Sequence, residues 1–205
     1  MNISVGLKIK EWLLQLGLSE QHANILKFAV IIVFILIISY LAYLITNKVI
    51  LRLIRKLISK TKYTWDDILL QKKVLNRLSH LVPAIIIYYY ANIGLIDFPK
   101  ASAALQSVSY VYMIFIGMLV LDAFLTAVHD AYQKLPISKE RPIKGYIQSI
   151  KIIIYAFGII IILSVILGKS PGSLIAGLGA VAAILLLVFK DTILGFVSSI
   201  QLSAN

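Results

Sequence analysis

Long uncharged apolar runs alternate with short polar segments along most of this chain. Each run is close to the ~20 residues that a helix needs to cross the hydrocarbon core of a bilayer. The pattern therefore predicts an all-α integral membrane protein with five transmembrane helices. The predicted spans are Phe28–Thr46, Leu78–Ile96, Ala101–Leu121, Ile152–Gly168 (which Tyr146 to Ser149 can extend) and Ser170–Phe189.

The composition supports a membrane protein and argues against an enzyme. Hydrophobic residues make up 60% of the chain and charged residues 14%, and the mean hydropathy of +0.92 excludes a soluble domain of this length. There are no cysteines, and therefore no disulfide and no thiolate metal site. The three histidines lie in unrelated segments and no catalytic motif is present, so neither a cofactor nor a metal is expected. The predicted spans carry almost no ionisable side chains, which disfavours a secondary transporter.

The distribution of basic residues predicts how the chain is oriented in the membrane. If five spans are assumed, most of the 20 Lys and Arg residues fall on one side of the membrane. Because basic residues favour the cytoplasmic side, Met1 is predicted outside and Asn205 in the cytoplasm. The net charge of +11 follows mostly from this bias and requires no nucleic-acid partner. The basic residues on the outer side are Lys8, Lys10, Lys27, Lys100 and Lys169.

The spans divide the chain into four predicted segments. Residues 1–27 form a segment on the outer face. Residues 28–121 form three peripheral transmembrane helices and include a basic cytoplasmic loop at 47–77. Residues 122–151 form a cytoplasmic connector, and residues 152–205 hold the fourth helix and the last one.

Two of these segments allow more than one interpretation. The first has an apolar face made by Ile9, Trp12, Leu13 and Leu16. Such a face suits a helix that lies on the outer membrane surface, and an extension of the first span fits equally well. In the connector, Pro136 and Pro142 argue against one continuous helix. A solvated linker is the default interpretation there, with headgroup contact or docking onto another part of the molecule as alternatives.

The basic loop begins with cations at helical spacing between apolar residues. This arrangement predicts a helix whose cations attract anionic lipid headgroups at roughly 1 kcal/mol each. A voltage sensor also carries regularly spaced Arg residues, but this stripe lies outside the hydrophobic run and would not cross the electric field. The predicted headgroup contacts are Lys48, Arg52, Arg55, Lys56 and Lys60.

The stretch from Thr64 to Asp67 is predicted to begin a helix. Thr64 suits an N-cap, and the Asp66 and Asp67 carboxylates suit the positive end of a helix dipole. A metal-binding or catalytic pair is the alternative. Adjacent side chains point about 100° apart on a helix, so the two carboxylates do not converge on one ion. Capping is therefore favoured.

The last span opens with small residues, which form two stripes on its surface. Ser170 suits an N-cap and Pro171 a first helical residue. Small side chains let helix backbones approach closely, so one stripe can fit as knobs into the groove that the other forms on a second copy. Packing within one subunit is the alternative. The stripes are Ala176, Ala180, Ala183 and Leu187 on one side, and Gly172, Gly179 and Ala182 on the other.

A charged pair follows this span. Lys190 lies at the negative end of the preceding helix, and Asp191 can cap a new one. Beyond it, Ile193, Phe196 and Ile200 share an apolar face. The pattern predicts a kink at Lys190–Asp191, between the spanning helix and an amphipathic helix at the cytoplasmic surface.

These residues carry a resemblance to a known family. The order of a small-rich helix, a charged bend and an amphipathic helix resembles the pore-lining segment of the mechanosensitive channel of small conductance (MscS) family. Phe189 to Gly195 (FKDTILG) and Ile200 to Asn205 (IQLSAN) are similar to the five-helix, miniconductance-like branch of that family. Trp65 to Asp67, after the first helix, also fits. Upstream of about Ser170 the resemblance depends mainly on helix number and orientation.

The resemblance implies a homoheptameric mechanosensitive channel of a bacterial inner membrane. Such a channel is opened by membrane tension and releases ions and small solutes during hypo-osmotic shock. The implied pore constriction is formed by Leu187 and Ala183, although the family commonly has two bulky side chains and Ala183 is small. Family members continue into a cytoplasmic β-rich domain, so this chain is expected to be their membrane-domain portion. The implied partners are copies of this chain and membrane lipids, and the alternative is a non-conducting scaffold or lipid-binding helical bundle.

Overall fold

The computed structural model describes residues 3–15, 17–50, 52 and 74–203, which form helices joined by short turns. These ranges contain no strand, so the predicted all-α class is confirmed for the described residues. The helices are α1 (Ile3–Gln15), α2 (Glu20–Ile45), α3 (Val74–Ser79), α4 (Leu81–Gly94), α5 (Pro99–Gln133), α6 (Lys144–Leu167) and α7 (Pro171–Ser203). A π-helical turn at Thr46–Ile50 continues α2, and a 3₁₀ turn at Pro136–Lys139 lies between α5 and α6.

Four helices among the described residues are long and apolar enough to cross a membrane. Their most apolar windows have mean hydropathies of 2.2 to 2.9, and at most 22% of any window is buried within the chain. Surfaces this apolar are not kept in water by soluble proteins, so the prediction of a membrane protein is confirmed in this coarse form. The four candidate spans are Glu20–Val49, Pro99–Gln133, Lys144–Leu167 and Pro171–Gln201.

The second predicted span, Leu78–Ile96, is not one continuous helix. It divides at His80 into α3 and α4, and α4 has 14 residues. A helix of that length is about 21 Å long, short of the ~30 Å hydrocarbon core. Pro83 explains the break, because it has no N–H to donate to the Ser79 carbonyl four residues earlier and its ring displaces that carbonyl.

The N-terminal segment is a separate helix and does not extend the first span. α1 ends at Gln15, and Gly17 follows with φ 81°, a left-handed conformation that favours glycine. An ion pair of 2.7 Å between Lys10 and Glu20 links the two helices across this turn. Leu13 is buried and Trp12 is 61% exposed. The position of α1 at a membrane surface stays a prediction, and Leu16 lies outside the described residues.

The predicted connector 122–151 is shorter than expected. α5 continues to Gln133 and α6 begins at Lys144, so the link between these two helices comprises residues 134–143. The prediction that the segment is not one helix is confirmed. Pro136 begins the 3₁₀ turn and Pro142 lies just before α6. Residues 122–133 remain helical because no proline or glycine interrupts them.

The chain divides into two compact units, Met1–Gly158 and Ile159–Asn205. In the first unit α4 packs against both α5 and α2. Small residues form these contacts, with Ala84, Ala91 and Ser102 buried and the Ser102 hydroxyl donating to the Ala91 carbonyl at 3.0 Å. A Cβ on Gly94 would lie 3.0 Å from Ile31, so α4 approaches α2 closely there. This use of small residues is typical of helix packing in membranes.

One end of this bundle is closed by an ion pair and an aromatic contact. The Lys27 ammonium on α2 donates to the Asp97 carboxylate in the turn between α4 and α5, and the Lys27 side chain is only 4% exposed. Next to it, the rings of Phe28 and Phe98 meet edge to face at 5.0 Å. The pair therefore ties α2 to the α4–α5 turn at the side predicted to be outer.

Replacing Asp97 with asparagine is expected to destabilise the first unit by about 2 kcal/mol, because a buried ammonium then loses its charged partner. Glu20→Gln is the matched control, since the Lys10–Glu20 pair is also a carboxylate–lysine pair but Glu20 is 74% exposed. Its effect is expected to be much smaller. Thermal unfolding in detergent micelles measures both variants. Adding Lys27→Met to Asp97→Asn should recover most of the loss, and equal losses in the two single variants would contradict this account.

The second unit contains the last turns of α6 and the whole of α7. α6 ends in a Schellman motif, in which Gly168 has φ 63° and the Lys169 N–H donates to the Ser164 carbonyl at 3.0 Å. α7 then begins at Pro171, and the Ser173 N–H donates to the Ser170 hydroxyl at 3.2 Å. The predicted N-cap at Ser170 and first helical residue at Pro171 are therefore confirmed.

Candidate pore helix and charged helix junction

Small residues occupy one side of α7. At about 100° of rotation per residue, the two predicted stripes lie next to each other, their centres roughly 80° apart around the helix axis. The bulky apolar side chains lie mainly on the opposite side and include Leu178, Val181, Leu185 and Val188. We call the side that the two stripes together cover the small face. The small face carries Gly172, Ala176, Gly179, Ala180 and Ala183, continues to Leu187 and Lys190, and is bordered by Ala182.

From Pro171 to Gln201 the side chains of α7 are exposed, except for the half-buried Leu174. None of the window within Pro171–Gln201 is buried, and the Leu187 side chain is 73% exposed. The space around Gly172 and Gly179 is open, since an added Cβ would meet no atom within 4 Å. An apolar helix with this exposure requires lipid or other protein chains around it.

Leu187 and Ala183, the predicted constriction residues, line one apolar depression on α7. The depression has a volume of about 410 Å³ and is open to the outside. Lys190 lines it as well, one turn beyond Leu187. The remaining lining residues are Leu186, Ile193 and Leu194. The depression thus joins the two predicted gate positions to a single cation on the same side of the helix.

The helix boundary predicted at Lys190–Asp191 is absent. α7 runs without interruption from Pro171 to Ser203, so Asp191 lies inside a helix and does not cap a new one. No glycine or proline stands at this position to end the helix, and Lys190 is a good helix former.

The predicted headgroup contacts fall partly outside the described residues. Lys48 lies exposed in the π-helical turn after α2, and Arg52 is exposed. Arg55, Lys56 and Lys60 lie outside the described residues, as does the stretch from Thr64 to Asp67. Lipid contact by this stripe stays a prediction.

A charged cluster that the sequence analysis did not predict joins α3, α5 and α6. Asp122 on α5 is its centre. Lys151 on α6 lies 2.7 Å from Asp122 Oδ1 and donates to the Thr126 hydroxyl at 2.7 Å. Arg77 on α3 lies 3.8 Å from Asp122 Oδ2 and donates to the Leu119 carbonyl at 2.5 Å. One carboxylate thus holds two cations, and we call this cluster the Asp122 junction.

A close contact between α5 and α6 lies one turn from the Asp122 junction. Met118 on α5 is buried against Gly158 on α6, where an added Cβ would lie 1.9 Å from the Met118 sulfur. Met118, Asp122 and Thr126 follow each other at four-residue spacing on α5 and therefore share one face. They meet Gly158 and Lys151 in antiparallel order on α6.

The variant Gly158→Ala is expected to lower the free energy of unfolding by about 1–3 kcal/mol, because Met118 has to move to make room for the methyl group. Gly145→Ala on the same helix is the matched control. The space around Gly145 is open, and alanine favours a helix by up to ~1 kcal/mol over glycine. Thermal unfolding in micelles should show that Gly158→Ala is less stable than Gly145→Ala. Adding Met118→Ala to Gly158→Ala should restore part of the lost stability. A Gly158→Ala variant as stable as Gly145→Ala would show that the contact is not tight.

The sequence contains a signal for the Asp122 junction that was not used. Asp122 directly follows a long apolar run, and an acidic residue at such a position tends to have a basic partner. The partners come from segments far apart in the chain, at Arg77 and Lys151. Their identity therefore follows only from the folded structure.

No protein-family model matches the chain, and no solved structure matches it either. Within the described residues no group of His, Cys, Asp or Glu side chains is arranged to hold a metal ion.

Proposed function

We propose that this chain is the membrane-spanning subunit of a tension-gated channel in a bacterial inner membrane, with its N-terminus outside. The observation that carries the proposal is α7, an apolar helix of spanning length that has a small face and no buried residue in its window. Small residues gain little from contact with lipid and much from close contact with another helix. Copies of α7 packed side by side satisfy both requirements.

A closed ring of α7 helices is the arrangement that best fits the two stripes. In a ring each helix contacts two neighbours through flanks on either side of the direction that faces the axis. The stripes provide two such flanks. Lys190 lies between their centres, Ala183 lies on the inner edge of the first stripe, and Leu187 lies within that stripe. The bulky side with Leu185 and Val188 then faces lipid or outer helices. We propose a homoheptamer, following the resemblance in the sequence.

Two layers of charge support a chain that crosses the bilayer five times. The Lys27–Asp97 pair marks one layer and the Asp122 junction the other. At about 1.5 Å per helical residue, the stretch of α5 from Pro99 to Asp122 spans roughly 35 Å, enough to cross the ~30 Å hydrocarbon core. In this proposal α3 and α4 together form the second span despite their break.

Tension favours the state with the larger in-plane area, so only a difference in area between closed and open states can drive opening. In the proposed channel the helices α2 to α5 contact lipid and respond to tension. The Leu187 side chains close the pore by excluding water, as hydrophobic constrictions do. Expansion moves them off the axis and lets ions and small solutes leave the cell.

Survival of hypo-osmotic shock tests this function in cells. Expression of the chain in a bacterial strain that lacks its own tension-gated channels should raise survival after a sudden drop in osmolarity. Native mass measurements in lipid nanodiscs should show a complex of several copies. The rival function is a non-conducting membrane scaffold, which predicts unchanged survival whatever the number of copies.

A further inference from the structure

The Asp122 junction includes Lys151 on α6, the helix that connects the first unit to α7 along the chain. α6 begins at Lys144, passes the junction at Lys151, leaves the first unit after Gly158 and ends at the Gly168 turn that precedes α7. Any force that the first unit exerts on α7 through the backbone therefore passes along α6. Within the first unit, α6 is held to α5 at Met118–Gly158 and at Asp122–Lys151.

We propose that Asp122 and Lys151 are positioning residues that couple the lipid-facing helices to α7, so that expansion of the first unit pulls α6 and opens the pore. This inference rests on the proposed function, because it names the residues through which tension reaches the same gate. Neither residue lines the proposed pore. They act by holding α6 against α5.

The charges of the junction explain why α6 would stay attached to α5 under membrane tension. Lys151 and Asp122 have side chains that are 24% and 25% exposed, so water screens their attraction less than it screens a surface pair. Lys151 is fixed in direction by a second hydrogen bond, to Thr126. Removal of the Asp122 charge leaves Arg77 and Lys151 as two cations without a carboxylate between them, so that α6 and α3 repel each other.

The test is a double-mutant cycle on the tension threshold, measured in liposome patches with the whole chain. Asp122→Asn and Lys151→Met should each reduce the ratio of open to closed channels at the wild-type midpoint tension by about 5-fold or more, the usual scale of coupling between sites. The conductance of the open channel should stay unchanged. In the double variant, the free-energy cost of opening should rise by less than the sum of the two single-variant rises, because both changes break the same contact.

Two control variants each remove one charge from an exposed position on the same predicted cytoplasmic side of the membrane. Glu140→Gln removes a negative charge from the link between α5 and α6, and Lys144→Met removes a positive charge from the start of α6. Both should leave the threshold unchanged. Thresholds that shift equally in controls and junction variants would overturn the proposal, since net charge alone would then explain them.

A covalent rescue separates coupling from a merely structural role. The chain has no cysteines, so Met118→Cys with Gly158→Cys provides one defined disulfide between α5 and α6. The Met118 Cγ, whose place a cysteine sulfur would take, lies 2.7 Å from a Cβ at position 158, close to the geometry of a disulfide. In the Asp122→Asn background, oxidation should restore the wild-type threshold and reduction should abolish the rescue.

The outcomes distinguish this inference from the function it rests on. A wild-type chain that stays silent at every tension overturns the proposed function and the coupling role with it. A wild-type chain that opens, together with junction variants of unchanged or lowered threshold, overturns the coupling role alone. Raised thresholds, a sub-additive double variant and rescue by the disulfide would establish it.

Discussion

The variant Leu187→Ser is expected to open at tensions where the wild-type channel stays closed. In the proposed ring the Leu187 side chains, 73% exposed in the single chain, meet near the axis and keep water out. A hydroxyl in each copy lets water enter the constriction, and a wet pore conducts. Because every subunit contributes one side chain, we expect the ratio of open to closed channels at low tension to rise at least about tenfold, or ~1.4 kcal/mol in total. Single-channel recording under ramped suction measures the threshold.

Leu185→Ser is the matched control for the gate. It makes the same substitution two residues earlier, where the side chain points about 160° away from Leu187 and is 50% exposed. The threshold of this variant should stay near that of the wild type. If both serine variants shift the threshold alike, or neither does, Leu187 is not the gate.

The variant Lys190→Glu is expected to change which ions pass. Lys190 lines the same depression as Leu187, so in a ring its copies place several positive charges at the cytoplasmic end of the constriction. Rings of charged side chains select ions of opposite sign. We therefore expect the wild-type channel to favour anions and Lys190→Glu to favour cations. The interaction of one unit charge with a nearby ion in water is on the order of 1 kcal/mol, so the permeability ratio should change about fivefold or more.

The reversal potential in a gradient of potassium chloride measures this preference. Lys144→Glu serves as the control, because it makes the same charge change at an exposed position outside α7. Its reversal potential should equal that of the wild type. An unchanged reversal potential in Lys190→Glu would show that the cation does not face the conducting path, as would happen if α7 kinked at Lys190 in the assembled protein.

Local sequence signals were reliable where a few neighbouring residues decide the structure. The Ser170 cap and the Pro171 start of α7 followed from their own side chains, and both are present. The break at His80 was also readable in principle, because Pro83 removes the hydrogen bond to the Ser79 carbonyl. The length of the apolar run predicts a single span instead. Hydrophobicity alone does not indicate that a backbone hydrogen bond is missing.

The sequence pattern does not predict features that depend on contacts between several segments. The Asp122 junction combines residues from three helices, and its geometry exists only once α3, α5 and α6 are packed. The same holds for Gly158, whose role follows from the position of Met118. Charge and capping potential predict a kink at Lys190–Asp191, yet α7 continues as one helix through these residues. Packing between copies is the physical force that would bend it.

The most direct test of the central claim is a recording from the purified chain in liposome patches under ramped suction. The proposed function predicts discrete openings that appear with tension and that voltage alone does not produce. A complex that is inserted and assembled, as native mass measurement shows, but carries no current up to the tension that ruptures the patch would contradict the channel and favour the scaffold.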